Sequence, residues 1–530
     1  MKPARIPSCD RRRSRIAALW LSALLMLPAP AAMAEELSLH EAIARALENN
    51  LGLQIVRFEP EVADARVTSA SAAFDPSFNI RGIYESIRNP QNTREFVATQ
   101  SGDIESETGA GRIFSEDNWR FQSGIEGLTP YGTQYGFVVE FDRLRNTLNQ
   151  TSPSSRFSPE YESFAGIRLT QPLLKDFGRD AQLVELRVAL RDRDIADLAL
   201  RREMERMVGS VMKAYYALAF AQRDLDNKRE AIGLAEELAE QNERRVEEGV
   251  APAIELQQAR VATAIRQEAF LSAEHQRKES LNQLSRELVG DFDLAAPPNF
   301  RARDPLPIQV PAADRSVLMA SAVENRVEYQ QGLLEMEKQG LRVQYFRNQT
   351  WPRLDLVGSL GVNGLAGSAG RSMGNAADAE GTSWSAGIVF SVPLGNRGPR
   401  ADLAAAQSQR TQMVYALKRL EVDIGLEIDT ALSRVETSRR RLDLTRQSLE
   451  LAQQALTEEN RRLEEGVGAS DQVIAAQNEV TEARTRSLAA EADVSRALVD
   501  LHLATGELLQ RQNIRFDGSE RDQGASAPVE

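Results

Sequence analysis

Few side chains in this sequence are spaced for catalysis or for metal binding. The three histidines, His40, His275 and His502, lie far apart and have no metal-ligand spacing, so surface or packing roles are favoured over a metal site. The sequence contains no glycine-rich phosphate loop and no nucleophile elbow. Three consecutive arginines at 439–441 are typical of a solvated helix face. The sequence therefore predicts no enzyme, no cofactor and no metal.

A seven-residue segment occurs twice and indicates an internal duplication. It reads RRVEEGV at 244–250 and RRLEEGV at 461–467, a shift of 217 positions, and further matches at the same shift continue upstream. Each copy ends a long helical pattern with a glycine, and a second helical pattern follows within a few residues. We therefore predict two helical hairpins, with tips near 249–253 and 466–470. The turn residues singled out are Gly249, Pro252, Gly466 and Ser470.

A helix followed by a strand is duplicated as well, at a shift of 276 positions. The tetrapeptide ALEN at 46–49 corresponds to AVEN at 322–325, and Pro76 corresponds to Pro352. A later strand in each half then runs into a proline and a helix. The prolines at the predicted strand–helix junctions are Pro76, Pro172, Pro352 and Pro393.

These repeats divide the chain into successive units. A basic run, an apolar run and an Ala-Met-Ala site predict a signal peptide over 1–34. The first structural repeat follows at 35–313 and includes a proline-rich junction at 291–311, and the second repeat covers 314–510. The polar tail at 511–530 is predicted to be disordered beyond its first residues.

The charge and the single cysteine limit the possible partners. The full chain carries a formal net charge of −13. Removal of the signal peptide leaves 58 basic and 76 acidic residues, a net charge of −18, which disfavours nucleic acid as a partner. The only cysteine, Cys9, would leave with the signal peptide. We therefore expect neither a disulfide nor a lipid-anchoring thiol in the mature chain.

Alternating apolar and polar residues predict strands between the helices. Four strands are expected, after Pro76, after Pro352, at about 162–170 and at about 384–392, and an extra hairpin is expected over 119–142. The polar stretch 86–117 is predicted to be a solvated loop. The alternation fits a soluble sandwich, with core against water, or a membrane sheet, with lipid against lumen. The sandwich needs a second apolar face, whereas the neighbouring segments are helices with narrow stripes.

Helix lengths suggest how the helical runs are arranged. Apolar residues repeat every seven positions along the long runs, which predicts coiled-coil packing. The run 179–248 would span about 105 Å, whereas the return at 253–289 spans only about 55 Å. We expect 314–347 to stack end to end on 253–289, and 38–73 to stack on 470–510. Each chain then has two long helices and two composite helices.

The duplicated order of helix, strands, long helix and returning helix resembles the TolC-like outer-membrane efflux protein family. The resemblance includes an alanine-rich return after each turn glycine and the Gln-Pro-Leu junction at 171–173, and it covers residues 37–510. It implies a mainly α fold with a membrane β-barrel section. Long antiparallel coiled-coil helices would form a trimeric α-barrel, continued by a β-barrel to which each of three chains gives four strands.

The resemblance also implies a function and partners. The protein would be the outer-membrane exit duct of a tripartite efflux or type I secretion system, extending into the periplasm. Transport would be passive and driven by an inner-membrane RND or ABC transporter through a periplasmic adaptor (membrane fusion) protein. The homotrimer would contact outer-membrane lipid and no nucleic acid, and the tip turns would face the adaptor.

Two departures from the family pattern stand out. The extra hairpin lies where better-known members have a loop. Those members also place an acidic residue, which helps to narrow the pore, six positions after the second turn glycine. Here that position is Gln472, with Asp471 beside it, and the equivalent position in the first repeat is Glu255. These three residues are the predicted pore-aperture candidates.

Two other functions compete with an outer-membrane duct. A periplasmic coiled-coil adaptor would need a β-rich globular module and a single hairpin, whereas this sequence has two hairpins and no such module. A structural coiled coil would not need strands whose alternation returns at the same place in each repeat.

Overall fold

Two helices of more than sixty residues dominate the molecule. Helix α4 spans Val184–Glu247 and helix α9 spans Arg397–Glu464, lengths of about 100 Å at 1.5 Å per residue. After a tight turn, each long helix is followed by a shorter antiparallel helix, α5 (Ala253–Leu288) after α4 and α10 (Ser470–Thr505) after α9. The shorter helices are α1 (Leu39–Asn49), α2 (Leu51–Ser71), α3 (Arg179–Gln182), α6 (Arg315–Asn325), α7 (Val327–Gln349), α8 (Ala369–Ala377) and α11 (Leu508–Arg511).

This computed structural model describes residues 35–91, 112–146, 156–288, 290, 299–309 and 314–514. The predicted signal peptide, part of the proline-rich junction and the tail beyond residue 514 lie outside the described residues. No helix in the described part is long and apolar enough to cross a membrane. The fold is mainly α with an antiparallel sheet, as the sequence predicts.

The helical runs that lead into strands are each interrupted once, contrary to the continuous helices predicted over 38–73 and 314–347. The backbone is extended at Asn50 (φ −64°, ψ 116°) and at Arg326 (φ −68°, ψ 123°). At the first break the Asn50 Oδ1 accepts a 3.1 Å hydrogen bond from the backbone of Leu53. The two breaks lie 276 positions apart, the shift at which the two halves of the sequence align.

The end-to-end stacking of the shorter helices is the reverse of the predicted pairing. The start of α2 meets the end of α5, where the Asn50 Nδ2 donates to the Glu287 carbonyl at 3.1 Å. The end of α10 meets the α6–α7 break, where the Gln510 Nε2 donates to the Asn325 Oδ1 at 3.1 Å. The chain after α5 crosses to the other side, since α6 packs on α9 and α10. The composite helices are therefore α2 with α5 and α7 with α10.

The helices form one layer with two unlike edges. Helix α4 packs against α2 and α5 on one side and against α7 and α10 on the other, and α9 packs beyond α7 and α10. One edge is therefore the stacked pair α2 and α5, hereafter the α2/α5 edge, and the other is the α9 edge. Apolar residues of the two long helices, such as Leu218, Ile424 and Val435, are buried within the layer and are at most 1% exposed.

A six-stranded antiparallel sheet joins one end of this layer. Its order is β2 (Ser77–Gln91), β3 (Arg112–Leu128), β4 (Gln134–Leu144), β5 (Glu160–Pro172), β7 (Arg353–Ala366) and β8 (Gly381–Ser391). The expected four strands per chain are thus too few, because the predicted extra hairpin joins the sheet as β3 and β4. Edge strand β2 follows α2, and edge strand β8 precedes α9. The β2 edge of the sheet therefore continues the α2/α5 edge of the helical layer, and the β8 edge continues the α9 edge.

Strands β2 and β3 extend into the stretch predicted to be a loop. Residues 86–91 and 112–117 pair in register, and the Ser86 Oγ donates to the Asp117 Oδ1 at 2.7 Å across the pair. The polarity of these residues predicted a solvated loop. In a strand pair, however, polar side chains can form hydrogen bonds with each other across the pair, so polarity alone does not exclude strands. Residues 92–111 of the predicted loop lie outside the described residues.

One face of the sheet carries a continuous apolar row. Directly paired residues share a face of a sheet, and the pairing aligns Phe78, Ile125, Phe137, Ile167, Leu360 and Trp384 across all six strands. All six side chains are exposed in the chain. The other face carries polar residues such as Arg81, Gln122 and Glu140. A soluble sandwich would cover this apolar row, which the helices of this chain leave open.

A small parallel sheet lies midway along α4. It pairs β1 (Glu35–Leu37) with β6 (Phe300–Ala302). The buried Tyr215 hydroxyl donates to the Leu37 carbonyl at 2.9 Å and accepts from the backbone N–H of Asp304 at 3.0 Å. This contact fixes the start of the described chain and the proline-rich junction against α4.

Candidate functional site

Both helical hairpins turn through the same glycine geometry. Gly249 and Gly466 have φ of +75°, the left-handed conformation in which a glycine commonly ends a helix. The backbone N–H two positions past each C-cap donates back into the helix, from Val250 to Arg245 at 2.9 Å and from Val467 to Arg462 at 3.0 Å. This is the Schellman arrangement. A β-carbon at either glycine would meet open space, so only the backbone conformation restricts these positions.

The other two predicted turn residues differ in exposure. Pro252 is exposed and its carbonyl accepts from the backbone of Glu255 at 3.0 Å. Ser470 is fully buried, and its Oγ accepts a 2.6 Å hydrogen bond from the Nδ2 of Asn242, which is also fully buried. The same Asn242 nitrogen lies 3.4 Å from the Glu255 carbonyl. Asn242 therefore joins the two tips. It is not among the residues predicted from the sequence, where its one signal is a polar side chain within an apolar heptad pattern.

The predicted pore residue Glu255 lies close to a cation of its own hairpin. The Glu255 Oε2 is 3.8 Å from the Arg245 Nη1, and both side chains are about three-quarters covered, at 20% and 24% exposure. Neither atom has a hydrogen-bond partner within the described residues. The pair is close enough for strong attraction but too long for a direct hydrogen bond. The charge of Glu255 is thus largely offset within one chain.

The other two pore candidates are exposed at the second tip. The Asp471 Oδ1 accepts from the backbone N–H of Gln472 at 3.0 Å. Among the described residues, no Lys, Arg or His lies within ion-pair distance of Asp471. Asp471 therefore presents a charge to solvent that its own chain does not neutralise.

A buried arginine ties the two hairpins together above the tips. Arg266 of α5 is 5% exposed and donates to the Gln477 Oε1 at 2.8 Å, to the Asn478 Oδ1 at 3.1 Å and to the Ala231 carbonyl at 3.3 Å. Burial lowers the pKa of its guanidinium. These contacts link α5 and α4 to α10. They could not be predicted from the sequence, because an arginine in a helical pattern usually faces solvent.

A second charged cluster joins the layer near the helix breaks. The Arg201 Nε lies 3.2 Å from the Glu205 Oε1 on α4, and Arg326 pairs with Glu328 at 3.3 Å and with Glu427 of α9. Burial raises the pKa of Glu205 to about 7, against the opposing effect of Arg201. The cluster links α4, α7 and α9, and no motif or spacing in the sequence indicates it.

The histidines occupy separate places, as their spacing suggests. His40 and His275 are exposed, whereas His502 is mostly buried, and burial lowers its pKa to about 4. Across the described ranges, no group of three or more His, Cys, Asp or Glu side chains is arranged to hold a metal ion.

The four junction prolines lie at the opposite end from the tips. Pro172 ends β5 and pairs with Asp355 of β7, and the Pro352 carbonyl accepts from the backbone of Lys175 at 3.3 Å. Pro76 precedes edge strand β2, and Pro393 follows edge strand β8. The structure therefore brings Pro172 and Pro352 together and places the other two at the edges.

Comparisons with known proteins agree with this architecture. A family model described as outer membrane efflux protein matches residues 136–290 and 318–507. No curated protein sequence is significantly similar to the chain. Similar solved structures include a membrane protein from Pseudomonas aeruginosa, with 20% identity, coverage of 88% of this chain and 90% of that chain, and a TM-score of 0.62.

Two similar structures are described as outer membrane channels. CmeC of Campylobacter jejuni is 15% identical, with coverage of 93% of this chain and 90% of that chain and a TM-score of 0.59. MtrE of Neisseria gonorrhoeae, in an open state, is 16% identical, with 88% of each chain covered and a TM-score of 0.56. At these low identities, the similar structures establish only a shared fold. The family model matches more than half of the chain and therefore establishes the family. The chain therefore belongs to the outer membrane efflux protein family, a family of channels rather than of enzymes.

Proposed function

We propose that three copies of this outer-membrane efflux channel form one passive duct, supplied by an inner-membrane RND or ABC transporter through a periplasmic adaptor protein. Its place in the outer membrane, with an extension into the periplasm, follows from the family. The number of copies, the adaptor and the pump are what the family resemblance implies. The observation that carries the proposal is the pair of unlike apolar edges on the helical layer.

Both edges of the layer expose large apolar side chains along their length. On the α2/α5 edge these are Leu51, Ile55, Phe58, Val62, Ile254, Val261, Ile265 and Leu271. On the α9 edge they are Tyr415, Val422, Leu426, Leu444 and Leu451. Such long stripes mark interaction surfaces. Because the two edges differ, one edge of each copy can cover the other edge of the next, and contacts of this kind close into a ring when the rotation between copies is a whole fraction of a turn.

The sheet supports the same assembly in the membrane. One chain gives six strands, fewer than the eight of the smallest membrane barrels, and the edge strands β2 and β8 lie above the two helical edges. Joining β8 of one copy to β2 of the next would remove both exposed strand edges. The apolar row would then face lipid and the polar face would line the lumen.

The repeats give the helical hairpins their proposed roles. We assign two structural repeats, at 35–313 and 314–510, because the tip glycines, the tip boundaries and the helix breaks recur at fixed shifts. The two tips then form the periplasmic end that meets the adaptor, with Gly249 and Pro252 in one tip and Gly466 and Ser470 in the other. Glu255, Asp471 and Gln472 surround the aperture.

Fractionation and mass measurement test this proposal. The full-length protein, expressed in a Gram-negative host, is expected in the outer-membrane fraction. Extracted in mild detergent, it should have three times the mass of the mature chain by light scattering. A soluble monomer would end the proposal.

Valine at the tip glycines is expected to reduce export more than assembly. A β-branched residue is strained at φ of +75°, by roughly 1–2 kcal/mol or more, so Gly249→Val and Gly466→Val distort the tips alone. Gly233→Val is the matched control, because Gly233 lies within α4 and a β-carbon there also meets open space. Export of a fluorescent pump substrate and the trimer yield are measured for each variant. Unchanged export by both tip variants would show that the tips do not dock the adaptor.

A further inference from the structure

The hairpin of β3 and β4 is built into the sheet at the height of its neighbours. These strands have 17 and 11 residues, and a strand that crosses a membrane needs about 9–11. Ile125 of β3 and Phe137 of β4 lie between Phe78 of β2 and Ile167 of β5 in the apolar row. The hairpin therefore has the same apolar and polar faces as the neighbouring strands and lies beside them in the sheet. A loop outside the membrane section would not continue the apolar row.

The turn of this hairpin is attached to the strand–helix junction. The Tyr131 carbonyl accepts from the backbone of Gly178 at 3.2 Å, and the Thr133 hydroxyl bonds the Gln171 side chain. Gly132 has φ of +90°, and a β-carbon on it would lie 2.5 Å from the Asp176 carbonyl oxygen. Only glycine fits so close a contact. The hairpin is thus held at the joint between sheet and helices.

The polar face of the hairpin continues that of its neighbours. The Gln122 Nε2 of β3 lies 3.4 Å from the Glu140 Oε1 of β4, which pairs with the Arg168 Nη2 of β5 at 3.1 Å. The Glu126 Oε1 of β3 accepts from the Asn79 Nδ2 of β2 at 2.7 Å. Polar bonds therefore run from β2 to β5 through the hairpin, on the face that would line the lumen.

We propose that this hairpin widens the outer-membrane section of the duct, which then has eighteen strands, so that cargo as wide as the helical section can leave. The inference rests on the proposed trimer. Strands β2 and β5 run antiparallel, as they would if they were direct neighbours. A hairpin of two strands can therefore lie between them without changing the direction of either strand. Removing the hairpin would leave four strands per chain and twelve per trimer.

Circumference favours the wider section. With strands about 4.8 Å apart and tilted by about 40°, twelve strands give a circumference of about 75 Å and eighteen give about 110 Å. Twelve helices, four across each layer, give about 100–120 Å at spacings of 8–10 Å. The hairpin thus makes the sheet section about 1.5-fold wider and matches it to the helical section.

Paired cysteines test the strand order. Each pair is placed in the full chain carrying Cys9→Ser. Ile83→Cys with Arg120→Cys and Asp142→Cys with Glu162→Cys join directly paired residues of β2–β3 and β4–β5, so both should form intrachain disulfides in outer membranes. Ile83→Cys with Glu162→Cys is the control, since these residues lie about 14 Å apart across three strand spacings. Crosslinking of the control pair, or failure of the other two, overturns the proposal.

Distances between copies test the width. A spin label at Asn363→Cys, an exposed position on the polar face of β7, should give distances between copies of about 30 Å for eighteen strands and about 20 Å for twelve. The 1.5-fold longer distance supports the hairpin as a widening element. The shorter one overturns this inference and leaves the trimer standing, whereas no distance between copies at all would overturn the trimer and the inference with it.

Discussion

Phe58→Asp is expected to abolish the trimer. Phe58 lies in the middle of the stripe of α2, where Leu51, Ile55, Phe58 and Val62 follow one another at spacings of four, three and four residues, and it is 61% exposed in the single chain. If the α9 edge of the next copy covers this stripe, an aspartate there loses its water without gaining a partner. Burying an unpaired carboxylate costs several kcal/mol, and the ring contains three such contacts. Light scattering in detergent should show monomer where the unmodified protein gives trimer.

Two further variants separate this effect from a general loss of stability. Thr68→Asp places the same charge on an exposed face of α2 away from the stripe, and it should leave the trimer intact. Val422→Asp on α9 should abolish the trimer as Phe58→Asp does, because the proposed contact joins two different edges. A trimer that survives both stripe variants would show that the two apolar edges are not the contact between copies, and the proposed assembly would lose its support.

The elements with strong local signals could be predicted from the sequence. The two hairpin turns were predicted from a glycine at the end of each long heptad pattern, and the structure confirms that the long helices end there, with left-handed backbone at Gly249 and Gly466. The hairpin β3–β4 followed from strict alternation on both sides of Thr-Pro-Tyr-Gly. In these cases neighbouring residues alone determine the conformation.

Features that depend on distant contacts could not be predicted in the same way. The break at Asn50 is held by Glu287 on α5, and the stacking of α2 on α5 depends on where the chain crosses after α5. Helix lengths predicted that 314–347 stacks on 253–289 and 38–73 on 470–510, but these lengths fit the observed reverse pairing equally well. Asn242 at the tips and Arg266 above them each bond a side chain that lies more than two hundred residues away in the sequence. In the sequence these two residues have the type and spacing of solvent-exposed helix residues, so their burial could not be predicted.

Neutralising Asp471 is expected to reduce the cation selectivity of the channel more than neutralising Glu255. In a trimer each residue would contribute a ring of three charges near the aperture, and rings of carboxylates favour cations. The two acids differ within one chain, because the Arg245 Nη1 lies 3.8 Å from the Glu255 Oε2, whereas Asp471 is exposed and, among the described residues, bonds only the backbone of Gln472. The ring that attracts cations should therefore be that of Asp471, although Glu255 occupies the position equivalent to Gln472 in the other repeat.

Reversal potentials in planar bilayers under a salt gradient test this assignment. Asp471→Asn should lower the ratio of cation to anion permeability by about tenfold, equivalent to about 1.4 kcal/mol, and Glu255→Gln should change it little. Gln472→Glu, which adds an acid beside Asp471, should raise the ratio. The opposite result, with selectivity unaltered by Asp471→Asn and abolished by Glu255→Gln, would mean that Arg245 turns away from Glu255 in the assembled channel and that the first repeat carries the aperture charge.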